Sequence, residues 1–128
     1  MTPSADNAAL ARIEQTVAED VSLIAVSGEV DISNVKDLRE AAYALPNDAL
    51  GVVVDLTQTR FMDSTTVGLL FDLRANLARR RQALRVVCPD GSIPRRLLEV
   101  TCFPADTLVD PDVTAAVASI RLELAQAE

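Results

Sequence analysis

The sequence predicts an α/β fold: one domain built on a mixed, mostly parallel sheet of four to five strands with about four helices. Three observations carry this. Short apolar runs bounded by turn residues alternate with stretches whose apolar residues recur at helical spacing. Such alternation implies parallel strands joined by crossover helices. The first two strand-like segments are separated by only two polar residues, which adds an antiparallel hairpin at one edge. A chain of 128 residues is also the size of one domain and buries roughly two-thirds of its unfolded surface.

The elements follow in order. Residues 8–18 alternate loosely and read as a strand, with a helix as the competing reading. Val21-Ser-Leu-Ile-Ala-Val-Ser27 is rich in β-branched residues and stops at Gly28, a strand signal. Glu19 and Asp20 form the turn between them. Ser33 or Asn34 caps a helix whose stripe is Val35, Leu38, Ala42 and Leu45, and Pro46 ends it because the residue before a proline avoids helical geometry. Residues 51–56, GVVVDL, form a continuous apolar run suited to a central strand covered on both faces. Val67, Leu70, Leu73 and Leu77 mark a helix over 65–81, and ALRVVC at 83–88 is another buried strand. Ser92 caps a short helix with Pro94 in its first turn and Leu97 and Leu98 inward. TLVD at 107–110 reads as a last strand, and Pro111 opens a helix through about Leu124 with Val113, Val117, Ile120 and Leu124 on one stripe. Residues 1–7 and the last three or four are the expected loose ends.

Composition narrows the function classes. Aromatic residues make up only 3 % of the chain, so the core is aliphatic. The formal net charge of −7 argues against direct nucleic-acid binding, which draws its affinity from cations on phosphates. The run Arg79-Arg80-Arg81 is a solvated helix end whose charge complements the helix dipole. With no histidine, a Ser-His-Asp triad and histidine-ligated metals are excluded, and no carboxylate pair stands out as an acid–base couple. Neither GxSxG nor a GxxxxGK[ST] phosphate loop occurs. No enzyme activity, metal or cofactor is therefore expected. No apolar run approaches the length that spans a bilayer, and no signal peptide is read, so a cytoplasmic protein without membrane insertion is expected.

Phe61-Met-Asp-Ser-Thr-Thr-Val-Gly-Leu-Leu70 joins the strand at 51–56 to the next helix. Partner and ligand sites in open α/β sheets favour this position, beyond the carboxyl ends of strands. Asp63 or Ser64 falls at the helix start, where Asp, Ser and Thr are also common simply because their oxygens satisfy free backbone N–H groups. Capping alone therefore accounts for these residue types.

GEVD at 28–31, VVVDL at 52–56 and FMDSTTVGLL at 61–70 together resemble the signature of the STAS domain, in particular of bacterial anti-sigma factor antagonists. RVVCPDGSIPRRLLEV resembles that family's fourth strand and third helix, and the similarity runs from about residue 9 to 124. The resemblance implies a single STAS-like domain over 1–128 and a partner-switching role. A partner anti-sigma factor, itself a serine kinase, phosphorylates the residue after the motif Asp, here Ser64. The unphosphorylated form binds the anti-sigma factor and frees a sigma factor, and a serine phosphatase restores it. Partner-binding residues implied are Gly28, Glu29, Asp31, Asp63, Ser64, Thr65 and Thr66, with Gly28, Glu29 and Asp31 in the loop after the second strand. A phosphate at a helix N-terminus is tolerated by the dipole and free N–H groups, while its charge spoils docking.

Thr66 stands where family members usually carry Gly, which adds bulk beside the acceptor and makes Thr65 or Thr66 a conceivable accessory acceptor. Phe61 and Met62 read as core or rim packing, Val67 and Leu70 as core. Cys88 and Cys102 read as buried, inert thiols, with a redox-controlled pair as the alternative. The rival functional reading is a STAS scaffold, stressosome-like, or an accessory subunit of a membrane lipid transporter. The oligomeric state is not encoded in any motif.

Overall fold

The computed structural model describes residues 11–18, 20–46, 48–108 and 112–127. The N-terminal segment is a strand: β1 (Ala11–Ala18) pairs antiparallel with β2 (Val21–Val30), from Ala11↔Gly28 to Ala18↔Val21. Alternation decides this over a helix, because Ala11 and Ile13 pack on the core while Arg12 and Glu14 face solvent. Residues 1–10, Glu19, Asn47, 109–111 and Glu128 lie outside the described residues, as do the expected strand end at 109–110 and Pro111.

β3 (Gly51–Met62) pairs parallel with β2, and β4 (Ala83–Val87) pairs parallel with β3, so the sheet order is β1-β2-β3-β4. Helices α1 (Val35–Tyr43), α2 (Ser64–Arg79) and α3 (Ile93–Val100) cover one face. They contribute Leu38 and Ala42, Val67, Leu69, Leu70, Leu73 and Leu77, and Leu98 to a core shared with Ile24, Val26, Val54 and Val86. Helix α4 (Val113–Ala127) packs Ala116, Val117 and Ile120 on the other face, against Val21, Val53, Ala83 and Val87. Burying each such aliphatic side chain is worth about 1.5–3 kcal/mol.

β3 is twice the expected length, and β2 runs past residue 27. The reason is a broken register. Ala25 pairs with Asp55 but Ser27 with Gln58, and Gly28 pairs with Thr59 but Glu29 with Phe61. Each slip places one extra β3 residue against β2, the signature of a bulge. Leu56, Thr59 and Met62, three apart, therefore all turn inward. Thr59 donates its hydroxyl to the Val26 carbonyl at 2.8 Å, and Gly28 crosses this region at φ 92°, where a side chain would be strained. Gly28 and Glu29 thus belong to the strand and not to a loop.

Of the strand expected at 107–110, Thr107 instead closes a 3₁₀ turn (Ala105–Thr107), Leu108 makes a parallel bridge to Val86, and 109–110 lie outside the described residues. Thr107 N–H and Leu108 N–H close the turn on Pro104 and Ala105, and Arg74 donates to the buried Thr107 hydroxyl at 3.0 Å. The second helix ends at Arg79, two residues early, because Arg81 takes a left-handed φ of 60°; Arg79, Arg80 and Arg81 are all exposed. Ser92 caps α3 as expected, accepting from Arg95 N–H at 3.2 Å. Asp112 accepts from Ala115 N–H at 2.9 Å just before α4.

Candidate functional site

β2 and β3 are parallel, so their carboxyl ends emerge together, and Val30↔Met62 is their last rung. Asp63 follows with its N–H donated to the Val30 carbonyl at 3.2 Å, and α2 begins at once with Ser64. The β3–α2 connection is therefore one residue long. That shortness fixes where Ser64 stands.

Asp63 is the N-cap of α2. Its Oδ1 accepts from Thr65 N–H at 3.0 Å, from the Thr65 hydroxyl, and more loosely from Thr66 N–H at 3.4 Å. Its Oδ2 accepts from Ile32 N–H at 3.1 Å, across to the segment between β2 and α1. Burial pushes its pKa up, but the bonds from Thr65, Thr66 and Ile32 outweigh this and hold the carboxylate below the ordinary aspartate value. Asp63 stays ionised and ties the two loops together.

The β2–α1 segment is itself a bonded turn. The Asp31 carbonyl accepts from Asn34 N–H at 3.0 Å and Val35 N–H at 2.8 Å. Asp31 Oδ1 accepts from Ser33 N–H and hydroxyl. Asn34, buried, accepts from Asp31 N–H at 2.9 Å and donates to the Glu29 carbonyl at 3.0 Å. Asn34 occupies the N-cap position of α1 without capping it by its side chain, because that side chain is spent on the turn.

Ser64 is exposed at the first helical position, and among the described residues its hydroxyl has no hydrogen-bond partner. The expectation that free N–H groups would greet an anion there needs correction. Asp63 already engages the amides of Thr65 and Thr66, so a phosphate on Ser64 would meet a carboxylate in possession of them. Thr66, expected at the partner-facing surface, is fully buried, its hydroxyl directed to the Val30 carbonyl at 3.4 Å. Thr65 is half-buried with its hydroxyl bound to Asp63. Glu29 is half-buried and loosely paired with Arg60 at 3.9 Å. Thus Asp31, Asp63 and Ser64 come together at the sheet end with Glu29 beside them, Gly28 lies lower in the ladder, and Thr66 drops beneath the surface.

One exposed residue has no place in the sequence reading: Ile32 is 76 % exposed. Of the pair read as core or rim packing, Met62 is core and Phe61, 43 % exposed, lies at the rim. Met62 turns inward, so its strand neighbour Phe61 turns away from α2. The signal for Ile32 was an apolar residue inside an otherwise polar turn, Asp31-Ile-Ser-Asn34. Val67 and Leu70 are core, as expected. Neither cysteine is in a disulfide; Cys88 is buried, but Cys102 is exposed, on a left-handed residue of φ 60° that closes α3, so the reading of two buried thiols holds for one. Among the described residues no cluster of acidic or cysteine side chains could hold a metal, and no helix is long and apolar enough to cross a membrane.

Comparison with known proteins agrees with this architecture. A family model described as Mlab, STAS domain matches residues 13–103. An anti-sigma factor antagonist from Mycobacterium paratuberculosis shares 24 % identity over 87 % of this chain and 94 % of its own, with a TM-score of 0.77. The anti-sigma factor antagonist SpoIIAA in its unphosphorylated form superposes at 0.73, with 17 % identity over 86 % of this chain and 96 % of its own. The Bacillus cell fate determinant SpoIIAA in its phosphorylated form superposes at 0.69, with 18 % identity over 86 % and 100 %. These likenesses are likenesses of fold. No curated protein matches the chain significantly in sequence. With the family model spanning most of the sheet and the first three helices, this chain belongs to the STAS-domain family.

Proposed function

We propose that this chain is an anti-sigma factor antagonist of the cytoplasm, switched by phosphorylation of Ser64. The unphosphorylated form docks on an anti-sigma factor that is a serine kinase, freeing a sigma factor. Phosphorylation releases it, and a serine phosphatase resets it. One observation carries the reading: Ser64 is exposed at the start of α2 with its hydroxyl unbonded among the described residues, next to an ionised Asp63 that already holds the Thr65 and Thr66 amides.

The physics is electrostatic. A phosphate adds about −1.5 to −2 charges at neutral pH. Asp63 bars it from folding back onto the Thr65 and Thr66 amides, so the charge stays at the surface. A partner that accepted a neutral hydroxyl must then desolvate a dianion, which costs several kcal/mol unless a cation meets it. The domain needs no rearrangement for this. The role is that of a binding switch, with no bond made or broken by the chain's own side chains.

The test is incubation with a kinase-type anti-sigma factor and ATP. Wild-type protein incorporates phosphate, and Ser64→Ala incorporates none while keeping its affinity, because Thr66 is buried and Thr65 is bonded to Asp63. Ser64→Glu binds more weakly. Phosphate on Ser64→Ala, or undiminished binding by Ser64→Glu, would overturn the charge switch.

A second reading has one observation in its favour: the matching family model bears the Mlab description. In it the same surface holds a transporter-associated partner stably. Binding that ATP leaves unchanged marks this reading.

A further inference from the structure

We propose that Ile32 is the apolar anchor of the partner-facing surface. This rests on the partner-binding role proposed for the Ser64 surface and adds a residue to it.

Ile32 is among the most exposed of the large apolar residues described, at 76 %. Single exposed apolar residues are ordinary on protein surfaces and need no explanation by themselves. Ile32 differs in how it is held. The Asp31 carbonyl accepting from Asn34 N–H closes a turn with Ile32 and Ser33 at its two central positions. Polar residues or proline serve such positions best, and a β-branched side chain there does nothing for the turn. Its own N–H is bound to Asp63, and the residues on either side are bound to one another and to the strand end through Asp31, Ser33 and Asn34. An isoleucine has only two side-chain torsions and loses little freedom on burial. Backbone fixed and side chain free of intramolecular duty, Ile32 enters a complex with most of its ordering already complete. A side chain on a backbone already held in place favours binding because less ordering remains to be done on association.

The occupant is a protein partner with an apolar pocket rimmed by cations. Asp31 precedes Ile32 in the turn, Asp63 holds it from beneath, and Glu29 is the last residue but one of β2, which leads into the turn, on a chain of net charge −7. Ser64 begins the helix that Asp63 caps, so a partner reaching the Ser64 hydroxyl also meets this turn. Anchor and switch share one carboxylate.

The experiment uses the full chain and the purified kinase-type anti-sigma factors of its source organism, with ATP. Ile32→Ala should weaken binding at least tenfold, and the loss should appear in KM for Ser64 phosphorylation with kcat within twofold. Ile32→Leu should recover most of the affinity. Val100→Ala removes an apolar group of similar exposure, 72 %, from the last turn of α3 and should bind as wild type does. Melting temperatures should be unchanged in all three. A loss under tenfold for Ile32→Ala, or an equal loss for Val100→Ala, overturns the anchor while leaving the Ser64 switch standing. Wild-type protein that binds none of these kinases removes the switch reading and the anchor with it.

Discussion

Asp63 Oδ2 accepts a hydrogen bond from the backbone N–H of Ile32 at 3.1 Å, joining residues thirty-one apart in the chain. The other oxygen of the same carboxylate caps α2. One side chain therefore fixes both the helix that starts at Ser64 and the turn that leads into α1. The two loops at the carboxyl end of the sheet behave as a single surface for that reason.

Removing that carboxylate should cost stability in two steps. Asp63→Ala loses the cap and leaves the Ile32 amide without its acceptor, for about 1–2 kcal/mol. Asp63→Asn keeps an acceptor oxygen and should lose about half as much. Urea unfolding of the two variants beside wild type reads the difference. Equal stability of wild type and Asp63→Ala would contradict the bonded geometry.

The same residue sets a pH dependence. Its bonds from Thr65, Thr66 and Ile32 depress the folded-state pKa below the ordinary value of about 3.9. A group with a depressed folded pKa contributes stability that is present above the unfolded value and lost as pH falls through the folded one. The stability gap between wild type and Asp63→Asn should therefore be constant above about pH 5 and shrink below about pH 4. Unfolding midpoints collected from pH 3 to 7 check this, and a gap that widens in acid would reverse the assignment.

Gly51 begins β3 opposite Ala83, and a β-carbon there would lie 2.4 Å from the Ala83 carbonyl oxygen and 3.1 Å from Ile120. Backbone cannot yield as a flexible side chain would. Gly51→Ala should destabilise the fold by about 1–3 kcal/mol or more, by prying β3 from β4 or lifting α4. A chemical denaturation midpoint at the wild-type value would rule out the close approach.

Ser22 lies in β2 with no exposure, and its hydroxyl has no partner among the described residues. A buried hydroxyl without a bond costs about 1–3 kcal/mol. Ser22→Ala removes the polar atom at little loss of volume and should stabilise the protein by about 1 kcal/mol. A clear fall in melting temperature would mean that the hydroxyl has a partner after all.

Local sequence determined the order of elements and the place of Ser64. Hydrophobic periodicity and capping are short-range properties, so Val67, Leu70, Leu73 and Leu77 marked α2, Ser92 marked the start of α3, and the brevity of the Met62-Asp63-Ser64 passage put the serine at a helix start. Tertiary structure alone decided which of the neighbouring residues face outward. The two bulges of β3 arise only against β2, and they break the alternation that would have put Thr59 on the face opposite Leu56 and Met62, so that all three turn inward. Thr66 vanished beneath Val30, and Ile32 was lifted and pinned by Asp63, through contacts between segments more than thirty residues apart. Periodicity records what a residue owes its own helix or strand; exposure depends on what the rest of the chain lays over it.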